Sequence, residues 1–456
     1  MEGQGCPGPI GKQAEPAARL PPAARRAIVP RVGSQDAGRT DPLGRELTKL
    51  FAFATLTYPF ACIPFLFLYF AAHGLSLSQY GRVVSAYYVA MLLGEIPTGV
   101  LADRFSRRSM LIAGPSLLCA GFAALFAFRS FAGFCAGEIL LGLGHSVLSG
   151  PPSALLYDLL HRYGASHRYV AEEGRMHALR LCGTGSSFVL GGLVALLFRD
   201  GETWGYSASI LLTAALCASA AVVGLCLGKE PPRARPSRAA FARLVREDLG
   251  RPAVLWLLLY WVLLFSLLRY PFHNYQVYLD DAARTEPAFA HPLVVGGLYA
   301  ALNLFAAALS QRVPGISRRF GRSRLFWAMP VMLSLSLLVM AIERAAGPAV
   351  SLAARRWLPL VGVAMFAAQQ IPFGMHWALV QEFIQSRMGS AVRATIWSLL
   401  SLGGRLGYAG LNVLLFDLQD SHGMAAAFGW AAAVGLAATW LVMRLRPPSA
   451  FPDSES

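Results

Sequence analysis

The chain has 456 residues, 55% of them hydrophobic and 14% charged, with a mean hydropathy of +0.48. A soluble domain is about a quarter charged, so the composition excludes a soluble fold and indicates an integral membrane protein. The formal charge of +15 sits in short basic segments between apolar runs; it reports membrane orientation, and no nucleic-acid partner is expected.

A helix needs about 20 apolar residues to cross roughly 30 Å of hydrocarbon. Runs of that kind predict spans near 50–73, 81–102, 109–128, 131–160, 176–198, 205–227, 253–279, 293–313, 325–343, 357–382, 393–416 and 423–443. The predicted fold is therefore an all-α polytopic membrane protein of about twelve transmembrane helices in two six-helix bundles. A β-barrel would alternate over segments of about ten residues, whereas "LLTAALCASAAVVGLCLG" is continuous. Residues 1–46 read as a disordered cytoplasmic tail and 47–227 as the N-terminal bundle. Residues 228–252 read as a basic, proline-interrupted cytoplasmic linker, 253–446 as the C-terminal bundle and 447–456 as a second cytoplasmic tail.

Arg104, Arg107, Arg108, Arg162, Arg168 and the arginines of the linker fall on one side, followed by Arg312, Arg318, Arg319, Arg322 and Arg324. The positive-inside rule then puts both termini in the cytoplasm of a cell with the chain in its inner, or plasma, membrane. Seven cysteines show no CxxC or Cys/His ligand spacing, so neither a metal site nor a cofactor is expected.

Taken in chain order, the second span carries Glu95 about 12 Å deeper than the charged turn that follows it. An ionisable group at that depth is costly unless it faces the bundle interior, which makes Glu95 a proton-coupling candidate. The fourth span adds Glu138, a second proton-coupling candidate, with His145 two turns further along one face. Asp158, near the end of that span, is expected to pair with Arg175 or Arg180. Pro151 and Pro152 are expected to interrupt the same helix.

In the seventh span Arg269, His273, Gln276 and Asp280 fall on one polar stripe, and Pro271 is expected to break the helix. The tenth span supplies Gln369, Gln370 and His376, the eighth Asn303, and the eleventh an isolated cation, Arg405. Arg269, His273, Gln276, Gln370 and Arg405 are the candidates for binding a solute. Arg269 or Arg405 would hold an anionic group through paired donors, or would neutralise Glu95 or Glu138.

Repetition ties the halves together. "LADRFSRRSML" after the second span aligns with "ISRRFGRSRLF" after the eighth, setting Arg104 against Arg319, Ser106 against Gly321 and Arg107 against Arg322. The stretch Gly99-Val-Leu-Ala-Asp103-Arg104-Phe-Ser106-Arg107-Arg108 resembles the signature between the second and third spans of the major facilitator superfamily, with Ser106 in place of its inner glycine. "RATIWSLLSLGGRLG", residues 393–407, resembles that family's eleventh-span entry, and the likeness covers about residues 47–446. It implies a gate: Asp103 would face the N-terminus of the eleventh helix, where a helix dipole and free N–H groups favour a carboxylate. Arg104, Arg107 and Arg108 would hold acids on neighbouring helices and latch the two halves.

"CGTGSSFVLGGL" in the fifth span partly resembles the glycine-rich motif of antiporters, with Ser187 and Phe188 replacing its Gly-Pro pair, and so tilts the direction slightly toward export. The expected function is secondary active transport of a small organic solute by alternating access, coupled to H⁺, in a monomer that needs only the lipid bilayer. A transport-derived receptor and a membrane-embedded enzyme are the alternatives. No nucleophile and base stand at a characteristic spacing and no H-E-x-x-H motif is present, so an enzyme is not expected.

Overall fold

The computed structural model describes residues 42–58, 60–104, 106–198, 203–228, 252–351, 355–387 and 393–450. Most of the two expected tails and of the 228–252 linker lies outside them. The described secondary structure is helical throughout: α1 Pro42–Thr57, α2 Leu66–Ala72, α3 Leu77–Arg104, α4 Arg107–Ala127, α5 Phe131–Leu148, α6 Pro151–Arg162 and α7 Tyr169–Leu197. Then come α8 Trp204–Leu225, α9 Pro252–Ala283, α10 Pro292–Phe320, α11 Arg322–Ala346, α12 Leu358–Arg387 and α13 Arg393–Arg444. Nine described helical stretches are long and apolar enough to cross a membrane. The long α13 contributes two of the crossings, because Gly423 at φ 84° interrupts its helical backbone. With α3 and the broken first helix the total reaches the twelve expected.

Prolines sort into breakers and passengers. The first span, expected to be continuous, is divided: α1 stops at Thr57, a 3₁₀ turn covers Ile63–Phe65, and α2 starts at Leu66. Pro64 sits at the start of that turn, where its missing N–H leaves no bond unmade. The fourth span breaks as expected, with Pro151 and Pro152 opening α6. Pro271 does not break the seventh: α9 runs from Pro252 to Ala283 with the proline inside it. In a membrane bundle neighbouring helices hold such a helix in line despite the lost hydrogen bond.

Caps fix the short turns. Ser106 caps α4 by accepting from the Ser109 N–H at 3.1 Å, and Ser130 caps α5 by accepting from Gly133 N–H at 3.2 Å. Gly321, at φ 78°, occupies the position before α11 that Ser106 occupies before α4. A positive φ there favours glycine, which explains why the two repeat copies differ at that site.

Within the first half α5 packs on α3 and α4, and α4 on α8; within the second, α13 packs on α9 and α11. Two antiparallel pairs join the halves, α3 with α13 and α7 with α10. Small residues let the second pair close up: a Cβ on Gly192 would lie 2.6 Å from the Pro292 carbonyl, and one on Gly296 2.5 Å from that of Phe188. Close backbone approach through glycine is how helices associate where lipid offers no hydrophobic drive.

Candidate functional site

A cavity of about 320 Å³ lies where the halves meet, lined from the broken first helix, α3, α4, α5 and α7 on one side and α9, α10 and α12 on the other. The break between α1 and α2 turns Phe60, Ile63 and Leu66 into its wall. From α5 come Glu138, Leu141 and His145, spaced so that one helical face meets the space. From α9 come Arg269, Phe272, His273, Tyr275 and Gln276. A wider cleft of about 710 Å³ opens around Arg318, Arg319, Arg322 and Arg324. It lies within the second half alone, so the shared cavity is the better candidate.

Four of the five solute-binding candidates line the cavity: Arg269, His273, Gln276 and Gln370. His273 Nε2 meets the Tyr88 hydroxyl at 3.1 Å across the halves, and Gln370 donates to the Tyr275 hydroxyl at 3.0 Å. Gln276 accepts from the Phe67 N–H of α2. Asn303 lines the space while donating to Leu181 O at 3.2 Å. Gln369 turns away to Ser336 Oγ at 2.9 Å, and Asp280 is exposed.

Arg405 takes the second of its two expected roles, neutralising Glu95 in place of lining the cavity. It donates to Glu95 Oε1, with Ser401 Oγ 3.4 Å from the same oxygen, and neither ionic partner lines the cavity. Both are largely buried, at 10% and 17% side-chain exposure, which makes this a cross-half ion pair between α3 and α13. The pair explains how an acid sits at membrane depth: its charge is neutralised by a neighbouring helix. Glu138 is different. Among the described residues it has no hydrogen bond or ion pair, and it lines the cavity while only 6% exposed.

Part of the charged turn lies outside the described residues. Asp103 and Arg104 end α3, and their side chains lie outside the described residues. Arg107 donates to Asp158 Oδ2 at 2.7 Å and to the Ala154 carbonyl, both on α6 of its own half. Arg108 donates to Leu225 O of α8. These contacts brace the first half. Asp158 therefore takes Arg107 where Arg175 or Arg180 was expected: Arg175 lies over the Phe51 ring and 4.0 Å from Glu172, and Arg180 over the Tyr58 ring. The second half repeats the device, with Arg322 donating to Glu382 of α12 at 2.5 Å.

Cross-half contacts not foreseen from sequence run along α3 and α13. Asn412 donates to Gly81 O at 2.7 Å, Ser85 donates to Ala409 O at 3.0 Å, and Arg82 meets Asp417 at 3.1 Å. The sequence held a signal for them in the polar spacing Arg82, Ser85 and Glu95 on one apolar helix. Tyr87, Tyr88 and Tyr299, cavity residues likewise missed, are amphipathic and read as ordinary packing.

This geometry defines a class: a polytopic membrane protein of two helical bundles with a partly charged cavity between them. The family model of the Major Facilitator Superfamily matches residues 50–411, and the chain belongs to that family. A Bacillus subtilis (strain 168) protein described as an uncharacterized MFS-type transporter, YddS, is 39% identical over 93 residues. That match spans 20% of this chain and 21% of the relative's length. Among solved structures, the nucleoside transporter NupG aligns at a TM-score of 0.70 with 14% identity, covering 89% of this chain and 99% of that one. The POT family transporter PepTSo aligns at 0.67 with 14% identity, covering 89% and 98%. At such identity these likenesses establish the shared fold.

Proposed function

We propose that this protein is a secondary active transporter that moves a small organic solute across the inner membrane by alternating access. The carrying observation is the cavity lined from both halves, which holds Glu138 without a partner among the described residues. Family membership and the fold shared with transporters support the reading. Rocking of one half against the other would expose this cavity to each side in turn.

The basic turns around Ser106 and Gly321 face the cytoplasm in this reading, with both termini. The fifth-span glycines tilt the direction toward export. The coupling proton is assigned to Glu138 rather than Glu95, because Glu95 is held by Arg405 while Glu138 faces open space. A carboxyl that exchanges its proton only when water reaches the cavity ties protonation to opening.

Proteoliposome flux tests this. Glu138→Gln is expected to abolish accumulation driven by a pH gradient while solute exchange across the membrane continues at saturating solute. Full gradient-driven accumulation by this variant would remove Glu138 as the coupling group. Absence of flux by the wild-type chain for every solute that it binds would leave the receptor reading in place.

A further inference from the structure

Among the described residues, several buried or partly buried charges come in pairs within or between helices, and the cavity departs from that pattern. Glu95 has Arg405, Asp158 has Arg107, Glu382 has Arg322, and Glu343 has Arg344 at 3.2 Å. The exception is the cavity itself, where Glu138 projects from α5 of the first half and Arg269 from α9 of the second. Neither side chain has an ion pair or hydrogen bond among the described residues, although the Arg269 backbone carbonyl accepts from the Tyr408 hydroxyl at 3.4 Å. Arg269 has aromatic faces instead, its guanidinium carbon 5.2 Å from the Phe265 ring centre and 5.9 Å from that of Phe272. A third group joins them: the Tyr299 hydroxyl, on a residue 3% exposed that lines the same cavity, has the Gln276 side chain beside it but no full hydrogen bond among the described residues. Unsatisfied polar groups and unpaired charges at such depth are costly, and a ligand that satisfies them removes the cost.

We propose that the transported solute is a zwitterion with a ring-bearing apolar body, its ammonium held by Glu138 and its carboxylate or other oxyanion by Arg269. Two charges of opposite sign on opposite walls call for a ligand with the opposite pair, and a guanidinium suits an oxyanion because its donors form a planar fork. The walls settle the body: ten of the twenty-three lining residues are Phe or Tyr, surfaces that stack on rings and on apolar chains. Tyr299 supplies one more donor for the oxyanion or for a polar ring substituent. Because Glu138 and Arg269 belong to different halves, a bound zwitterion bridges them. An ammonium and a proton would then occupy Glu138 by turns, so this inference rests on the transport reading and supplies its solute class.

The test uses purified full-length protein and ligand sets of one skeleton each: an aromatic amino acid, its decarboxylated amine and its deaminated acid, for phenylalanine, tyrosine, tryptophan and histidine. Binding is read by thermal shift and titration calorimetry. The zwitterion of at least one set is expected to bind at least about tenfold tighter than either single-charge analogue, the scale of losing one desolvated charge contact. Arg269→Gln should erase the preference over the amine while amine binding persists, and Glu138→Gln should erase the preference over the acid while acid binding persists. The retained analogue binding shows that each variant is folded. An amine or acid binding as tightly as its zwitterion, or no zwitterion of the panel binding the wild-type chain, overturns the solute class. Flux of an uncharged or singly charged solute in proteoliposomes would also overturn the class yet keep the transporter. Zwitterion binding without flux would keep the class and remove the transporter.

Discussion

At the residue scale, Glu95 and Glu138 show how one residue type acquires two roles from its surroundings. Both are acids on apolar helices and the sequence offers them as equals. Arg405 separates them, since it neutralises Glu95 and leaves Glu138 to the cavity. Removing one member of a buried ion pair leaves an uncompensated charge and costs about 3–5 kcal/mol, whereas replacing both is often close to neutral. Arg405→Leu is therefore expected to lower the unfolding temperature in detergent, and Glu95→Gln with Arg405→Leu to restore most of it. A double variant no more stable than the single one would mean that the pair does not carry this stability. The sequence offered Arg405 to either acid and could not choose, because Glu95 and Arg405 lie 310 positions apart in the chain and no local pattern links them.

At the element scale, apolar run length was enough to place the helices, because crossing hydrocarbon demands about 20 such residues whatever the solute. Proline was a poorer guide. Pro64 coincides with a real break and Pro271 does not, a difference set by whether packed neighbours keep the chain in line. The aligned turns proved more informative, since Ser106 and Gly321 cap equivalent helices and the following arginines reach Asp158 and Glu382 in equivalent places. The glycine contacts of α7 with α10 yield a prediction. Gly192→Val would push its side chain against the Pro292 backbone, which cannot yield as a flexible side chain does. It is expected to cut solute flux by tenfold or more, on the order of 1.4 kcal/mol in the barrier, and to raise thiol-reagent labelling of a cysteine placed at position 297, where a side chain meets no neighbour within 4 Å. Unchanged flux and labelling would show that this crossing is not tightly closed during transport.

For the whole molecule, the two-half plan was legible from composition, basic turns and repetition together, while the cavity's occupant was not. The polar stripe of α9 gave Arg269, His273 and Gln276, yet the tyrosines that complete the wall carry no signature apart from ordinary packing. Orientation is checked separately. Reporter fusions at residue 240 and after residue 450 are expected to report the cytoplasm, and an external signal from either would reverse the orientation assigned to the basic turns.

Arg82 and Asp417 join α3 to α13 at the end away from the charged turns, with side chains 45% and 39% exposed. Glu95 and Arg405 join the same helices deeper, largely out of water. Dissolved ions reach the first clasp and not the second: the screening length falls from about 30 Å at 0.01 M to about 3 Å at 1 M. The seam between α3 and α13 thus has a brine-sensitive end and a brine-insensitive middle. Raising the salt around the protein would loosen the contact at the end of this seam while the contact within it kept its strength.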